Sequence, residues 1–285
     1  MRPSYYLDLC IEALLGKGGY TQDIYVVSHN AEVDKIKKFG GAVKFVYSPS
    51  TKPLPTDVYM NNAYMAFEKP YDVMMFLHSD GIVREGWWKP LEELWNEVDT
   101  TKIWSIASPT TQPVRGDKKL TIAWDGYNGD YCSRFTTGTS FLCDHYKHTV
   151  DKYGINTFYS LEYIMQYEAI LAHKWAMMSN NGSFVDHLIS GLDSNIMDMN
   201  AYMQGTHRFF INTLGYSIGH FMGIWFGRVL ITHADEIIEN VISGKFDKID
   251  YIFNEALELL NNNSCVGCDI RCTVRNNHRY SRGVK

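Results

Sequence analysis

No stretch of the 285 residues approaches the roughly 18 uninterrupted apolar positions that a membrane-spanning helix needs. The opening residues, MRPSYYLDLC, hold no apolar signal core. Cysteine is sparse, with six in the chain, and without a secretion signal these read as reduced thiols or metal ligands, not as a disulfide framework. A soluble, cytoplasmic protein is therefore expected. Basic charge is not in excess: a net charge of −5 excludes a surface coated for nucleic acid, while leaving room for a local basic patch. There is no internal repeat, and no low-complexity tract beyond the short Asn run at 261–263. What is plentiful is aromatic. Aromatics make up 14% of the chain, led by 19 Tyr, and their amphipathic rings suit clefts and sugar-stacking surfaces as well as cores. Hydrophobic and charged shares of 45% and 21% are those of an ordinary globular protein, long enough for one large domain or one domain with an appendage.

The first third alternates between two periodicities. YYLDLCIEALLGKGG places Leu7, Ile11, Leu14 and Leu15 on one helical face and ends in glycines suited to a helix C-terminus. DIYVV is a short strand ending at Ser28-His29-Asn30, and AEVDKIKKFGG reads as a second helix with a glycine stop. VKFVYS is the next strand, followed by a loop with Pro49, Pro53 and Pro55; VYMNNAYMAFEK is helical, and DVMMFLH is a strand. Further on come a helix containing KPLEELWNEV, a strand in IWSIASP, and a strand in FTTGTSFLCD. Residues 158–178 read as helix, SFVDHL as a short strand, and 196–260 as mainly helical. Helices between short continuous apolar strands predict an α/β fold with a mostly parallel sheet flanked by helices. In such sheets ligands bind beyond the carboxyl ends of the strands. The apolar run 72–77 ends there in His78-Ser79-Asp80, a polar terminus on a buried strand.

The order of these segments resembles the GT-A glycosyltransferases, particularly the large family 2 type. In that family an Asn-Arg-Pro-like turn opens a helix before a strand with a polar end, matched here by RPSYYLDLCIEALL and DIYVVSHN. An Asn-containing helix, an apolar strand and an Asp-x-Asp metal motif with a Trp follow; here these are MNNAYMAF, DVMMFL, HSD and GWW. The family's acidic pair on a helix, with a His roughly 25 residues later, is matched by Glu162 and His187. The resemblance covers residues 1–190 and implies a Rossmann-like catalytic domain there; the mainly helical residues 191–260 are expected to shape the acceptor side, and over 261–285 the composition changes to a Cys-containing basic tail. Three departures are plain. The family's first strand would precede Arg2, so either the fold does without it or the natural chain begins upstream. His-Ser-Asp keeps only the last carboxylate of Asp-x-Asp, and Glu162-Tyr163 keeps one acid of the pair, with Glu168 six residues further on.

The resemblance implies transfer of a sugar from a nucleoside-diphosphate sugar, a UDP-sugar in the first place, to a hydroxyl on a glycan, lipid, protein or modified nucleic acid. A divalent cation, Mn2+ or Mg2+, stabilises a departing diphosphate as a Lewis acid with oxygen ligands. Asp80 is the expected carboxylate ligand, with His78 and His187 as further ligands that would favour manganese. Taken singly, an Asp after a strand is commonly a turn or cap residue, and a lone His a hydrogen-bonded structural one. For an inverting transfer a carboxylate takes the acceptor proton. Glu162 matches the family and Glu168 is the local rival; at six residues' separation they stand some 120° apart around a helix. Ser28, His29 and Asn30 are expected near the nucleotide, Asn61 and Asn62 beneath the donor, and Ser79 beside the diphosphate. Trp87 and Trp88 can stack on a sugar or anchor a core. Thr137 and Gly138, within TTGTS, would let a substrate approach the backbone closely.

CVGCDIRC supplies Cys265, Cys268 and Cys272, with His278 six residues on, a Cys3His set that suits structural zinc; reduced thiols and an iron–sulfur cluster are the alternatives. From Cys265 onward four Arg and one Lys stand against one Asp, a local +4 able to dock a phosphate-rich partner or simply to be solvated. Two rival functions remain. A sugar nucleotidyltransferase would normally carry a Gly-rich basic phosphate loop after its first strand, and none is visible. A non-catalytic module would keep the cleft and use the basic tail to bind nucleic acid or a partner.

Overall fold

A computed structural model describes residues 5–16, 23–28, 37–47, 56–77, 81–107, 120–122, 139–154, 161–179, 185–187 and 209–262. In chain order the first elements are α1 (Tyr5–Gly16), β1 (Tyr25–Ser28), β2 (Lys44–Tyr47), α2 (Thr56–Met65), β3 (Val73–Phe76), β4 (Gly81–Val83) and α3 (Trp88–Glu97). There follow β5 (Ile103–Ala107), β6 (Leu120–Ile122), β7 (Thr139–Leu142), α4 (Cys143–Tyr153), α5 (Leu161–Leu171), β8 (Trp175–Ser179) and β9 (Val185–His187). Beyond them residues 209–214 are helical. A helix, α6, then runs over Ile218–Ile224, a π-helical turn Trp225–Val229 and Leu230–Thr232; α7 is Ala234–Ile242 and α8 is Tyr251–Asn262.

Among the described residues the main sheet has the strand order β3-β7-β5-β8-β6. β3 is antiparallel to β7, β7 antiparallel to β5, β5 parallel to β8 and β8 antiparallel to β6. Thus β3, β5 and β8 share one direction, and β7 and β6 run against it. β1 and β2 form a separate parallel pair, and β4 and β9 a short antiparallel ribbon. The sheet is mixed, and the mostly parallel arrangement expected from the sequence is not what these pairings form. The reason is physical: a continuous apolar run reports burial on both faces, not strand direction. β5 shows this, with Ile103, Trp104, Ser105, Ile106 and Ala107 all buried.

One hydrophobic core joins the sheet to the C-terminal helices. Trp104, Ile106, Phe141 and Met177 from the strands belong to the same cluster as Phe221, Trp225, Phe253 and Leu260. Trp225, the first residue of the π turn, stacks on Phe253 at 5.7 Å, and Phe253 meets Trp175 of β8 at 4.3 Å. A smaller cluster of Ile11, Ile24, Val26 and Val43 seats α1 on β1 and β2. Leu7 and Leu14 pack against it, whereas Leu15 is 37% exposed and Cys10 and Ala13 are buried in its place, a one-residue rotation of the expected face. The β1–β2 pair is tied to the connection between α2 and β3 by a polar latch. Lys44 meets Glu68 at 2.7 Å and Asp23 at 3.3 Å, and Tyr71 donates to Asp23. The Tyr71 hydroxyl first, then Lys69 and Lys44, hold the Asp23 carboxyl down to about 2.

The segments on either side of α5 fold otherwise than their sequence suggests. Residues 175–178, expected to extend a helix, form β8, because a helix over 161–171 is closed by His173 in a left-handed conformation, φ 53°. Cys143–Tyr153 is the helix α4; Cys143 and Asp144 close the strand expected in FTTGTSFLCD, and no element is expected over 145–153. It ends at Gly154, whose φ of 71° and ψ of −180° belong to glycine.

Candidate functional site at the sheet edge

The strand directions bring five chain ends to one edge of the main sheet. Phe76, the last residue of β3, pairs with Thr139, the first of β7, and Thr139 also pairs with Ala107, the last of β5. Ala107 pairs with Met178 near the end of β8, and Ser179, its last residue, pairs with Leu120, the first of β6. With adjacent strands about 4.8 Å apart, these ends span an edge roughly 19 Å wide. It is the carboxyl edge of β3, β5 and β8, the side on which open α/β sheets bind ligands.

Chain continuity attaches the expected site residues to that edge. His78, Ser79 and Asp80 follow Phe76 and Leu77; Thr137 and Gly138 immediately precede Thr139; these five lie outside the described residues. Where the chain is described again, after Asp80 and after residue 184, it forms the β4–β9 ribbon. There Gly81 pairs with His187, Ile82 with Asp186 and Val83 with Val185. His187 therefore stands, by register, opposite the residue that follows Asp80. The ribbon is anchored by Val83 and Val185, which are 0% and 1% exposed, and α1 packs against β4.

Buried hydrogen bonds hold β7 in register beside this edge. Ser140 donates from Oγ to the Ile106 carbonyl at 2.9 Å and accepts from Trp95 Nε1 at 2.8 Å. One hydroxyl thereby ties α3, β7 and β5 together.

The remaining expected residues fall in several places. Ser28 is the last residue of β1 and pairs with Tyr47 at the end of β2; His29 and Asn30 lie outside the described residues. Asn61 and Asn62 are partly buried on α2, and Asn61 Oδ1 is buried with no hydrogen-bond partner among the described residues. Trp87 is 3% exposed and belongs to the main core, with Trp88 packed edge-to-face on it at 5.5 Å, so Trp87 anchors the core and its ring is not offered to solvent. Cys265, Cys268, Cys272 and His278 lie outside the described residues. Among the described residues no group of three His, Cys, Asp or Glu is placed to hold a metal ion.

The two glutamates have distinct settings. Glu162 is in the first turn of α5, placed by its backbone. Glu168 is 3% exposed and fully engaged. Its Oε1 accepts from Tyr153 Oη at 2.5 Å and Lys152 Nζ at 3.0 Å; its Oε2 accepts from Lys152 Nζ at 3.1 Å and His148 Nε2 at 2.9 Å. Burial alone would raise this carboxyl, but the hydrogen bonds from Tyr153, Lys152 and His148 outweigh it and hold its pKa below the ordinary value. These three partners were not singled out in the sequence. Their signal was the i, i+4 spacing of His148 and Lys152, which is legible only once 143–153 is known to be helical.

No protein-family model matches the chain, and no curated protein matches it. Among solved structures the chain is similar to a mannosyltransferase from Pyrobaculum calidifontis in complex with GDP-Man and Mn2+. The identity is 7% and the TM-score 0.47, over 96% of this chain and 75% of that one.

Proposed function

We propose that the chain is a glycosyltransferase that takes a nucleoside-diphosphate sugar, in the first place a UDP-sugar, and transfers the sugar to a hydroxyl acceptor with the help of a divalent metal. The observation that supports it most is the meeting of chain ends at one sheet edge, with His187 opposite the residue after Asp80. Two sequence segments just over a hundred residues apart, each read as carrying a metal ligand, are brought together by the pairing of β4 with β9.

The donor set suits a hard divalent cation. Asp80, His78 and His187, with diphosphate oxygens, make an oxygen-rich set containing nitrogen, which favours manganese over magnesium. Such a cation, when bound, neutralises charge on the leaving diphosphate. Ser28, His29 and Asn30 hold the nucleotide, Asn62 and Ser79 line the donor, and Thr137, Gly138 and Trp88 border the sugar. In the transfer the acceptor oxygen forms a bond to the anomeric carbon while the bond from that carbon to the diphosphate oxygen breaks. Its electron pair leaves with the diphosphate. The acceptor proton passes to the Glu162 carboxylate; Glu168, with both oxygens already occupied, is poorly free to take it.

Hydrolysis of a panel of UDP- and GDP-sugars with Mn2+ tests the assignment. Release of nucleoside diphosphate from at least one donor is expected. No turnover and no nucleotide binding across the panel would favour a non-catalytic module.

A further inference from the structure

Glu168 is the most completely engaged ionisable group in the described structure that the proposed chemistry leaves unused. Its carboxylate is 3% exposed, on α5, while all of its charged and hydroxyl partners (His148, Lys152 and Tyr153) lie on α4. The partners span one turn and a residue of α4, so they bracket the carboxylate along the helix and not only across it. A hydrophobic contact between two helices tolerates sliding; a buried carboxylate with both oxygens taken does not, because displacement would leave an ionised group unpaired out of water. α5 also packs on β8 and α8, and its neighbour Ala169 is fully buried, so a shift at Glu168 would be transmitted along the whole helix.

We propose that Glu168 is a positioning residue: its clamp to His148, Lys152 and Tyr153 fixes the register of α5 on α4 and thereby sets where Glu162, six residues toward the N-terminus of α5, is held. Six residues of α-helix are about 9 Å of rise, short enough for a rigid helix to carry the constraint undiminished. The inference rests on the reading of Glu162 as the base, and it deepens that reading by naming what holds the base in place. Lys152 and Tyr153 contribute unequally. Lys152 bridges both oxygens, whereas Tyr153 contacts one.

The test compares Glu168→Gln, Tyr153→Phe and Glu162→Gln in the full chain. Two readouts are used: hydrogen exchange of the α5 amides, and hydrolysis of the UDP- and GDP-sugar panel with Mn2+. Glu168→Gln is expected to speed exchange across α5 and to lower kcat roughly 10- to 100-fold with KM for the donor nearly unchanged, the effect of a displaced catalytic group. Its pH profile of kcat keeps the inflection of the parent, because the base itself is intact. Tyr153→Phe is expected to show the same signs at smaller size. Glu162→Gln is expected to lose turnover and that acid-limb inflection while α5 exchange stays as in the parent. Unchanged α5 exchange in Glu168→Gln overturns the clamp. Loss of all turnover in Glu168→Gln, with Glu162→Gln still active, overturns it differently by making Glu168 the base. Should the parent turn over no donor, it is the sugar-transfer reading that has failed, and the exchange measurement still decides whether Glu168 fixes α5.

Discussion

His187 pairs with Gly81 across the antiparallel ribbon of β9 and β4, one position along the chain from Asp80. Nothing local in either segment requires this meeting. It follows from the ribbon's anchorage, because Val83 and Val185 pair at its far end and both are buried. Substituting Val83→Ala removes two methyl groups from a packed site and should cost on the order of 2 kcal/mol in urea unfolding. It should also weaken Mn2+-dependent nucleotide binding, since the ribbon that brings the two segments together is loosened. Lower stability with unaltered nucleotide affinity would separate the ribbon from the site.

Ser140 ties three elements through one hydroxyl, accepting from Trp95 and donating to Ile106. Ser140→Ala leaves the Trp95 indole N–H without its acceptor in a partly buried place. The expected loss is about 1–3 kcal/mol, read as a lower urea midpoint at unchanged m-value. A loss well below that range would mean that water or another group takes over the indole.

Gly154 closes α4 at φ 71° and ψ −180°, and a Cβ placed there meets nothing within 4 Å. Any cost of Gly154→Ala is therefore a backbone cost, about 1–3 kcal/mol. Thermal unfolding of the variant measures it directly. A neutral result would show that the chain relaxes out of this conformation without penalty.

Acid should unfold the chain in two stages. His145 is 7% exposed, and burial, aided by the charge of Lys174, pushes its pKa down from 6.5 to about 4, against the opposing bond from its Nε2 to the Met165 carbonyl. The folded chain thus refuses a proton that the unfolded chain accepts between pH 6.5 and 4. Stability falls as pH falls through that window, by at most about 1.4 kcal/mol per pH unit. The lowered carboxyls of Glu168 and Asp23 act below it: their contribution is present above the ordinary carboxylate range and is lost as pH drops, for Asp23 down to about 2. His145→Gln should abolish the first stage and leave the second. Parallel urea titrations of parent and variant from pH 8 down to about 2 test this; superimposable slopes between pH 6.5 and 4 would contradict it.

Much of the architecture was legible in particular runs. VMMF, IWSIA and TSFL are strands because apolar and β-branched residues predominate between turn signals, interrupted only by Ser105 and Ser140, and WKPLEELWNE is a helix because Leu91 and Leu94 face the core while Glu92 and Glu93 are exposed. Other parts were not. The strand WAMMS falls, up to Met178, within the helical reading of 158–178, since Ala and Met favour helices and a short apolar run carries no period of its own. α4 escaped because it buries His145 and Thr149, polar residues that satisfy themselves on the Met165 and His145 carbonyls, so its apolar stripe is thin. The three-residue strand β4 is too short to show alternation; β9 lies within SFVDHL, which reads as a strand, but its pairing with β4 is a tertiary fact. The polar end of the strand before His78 was visible from sequence. Its convergence with His187, and the role of Glu168 as the centre of a clamp, required the fold.

Calorimetric titration of UDP and GDP into the parent and into Asp80→Ala, each with and without Mn2+, tests most directly whether Asp80 holds the metal and the nucleotide. The parent is expected to bind one of the two nucleotides in a Mn2+-dependent manner, and Asp80→Ala to lose at least about tenfold in that affinity, some 1.4 kcal/mol. Equal, Mn2+-dependent binding by parent and Asp80→Ala would contradict it.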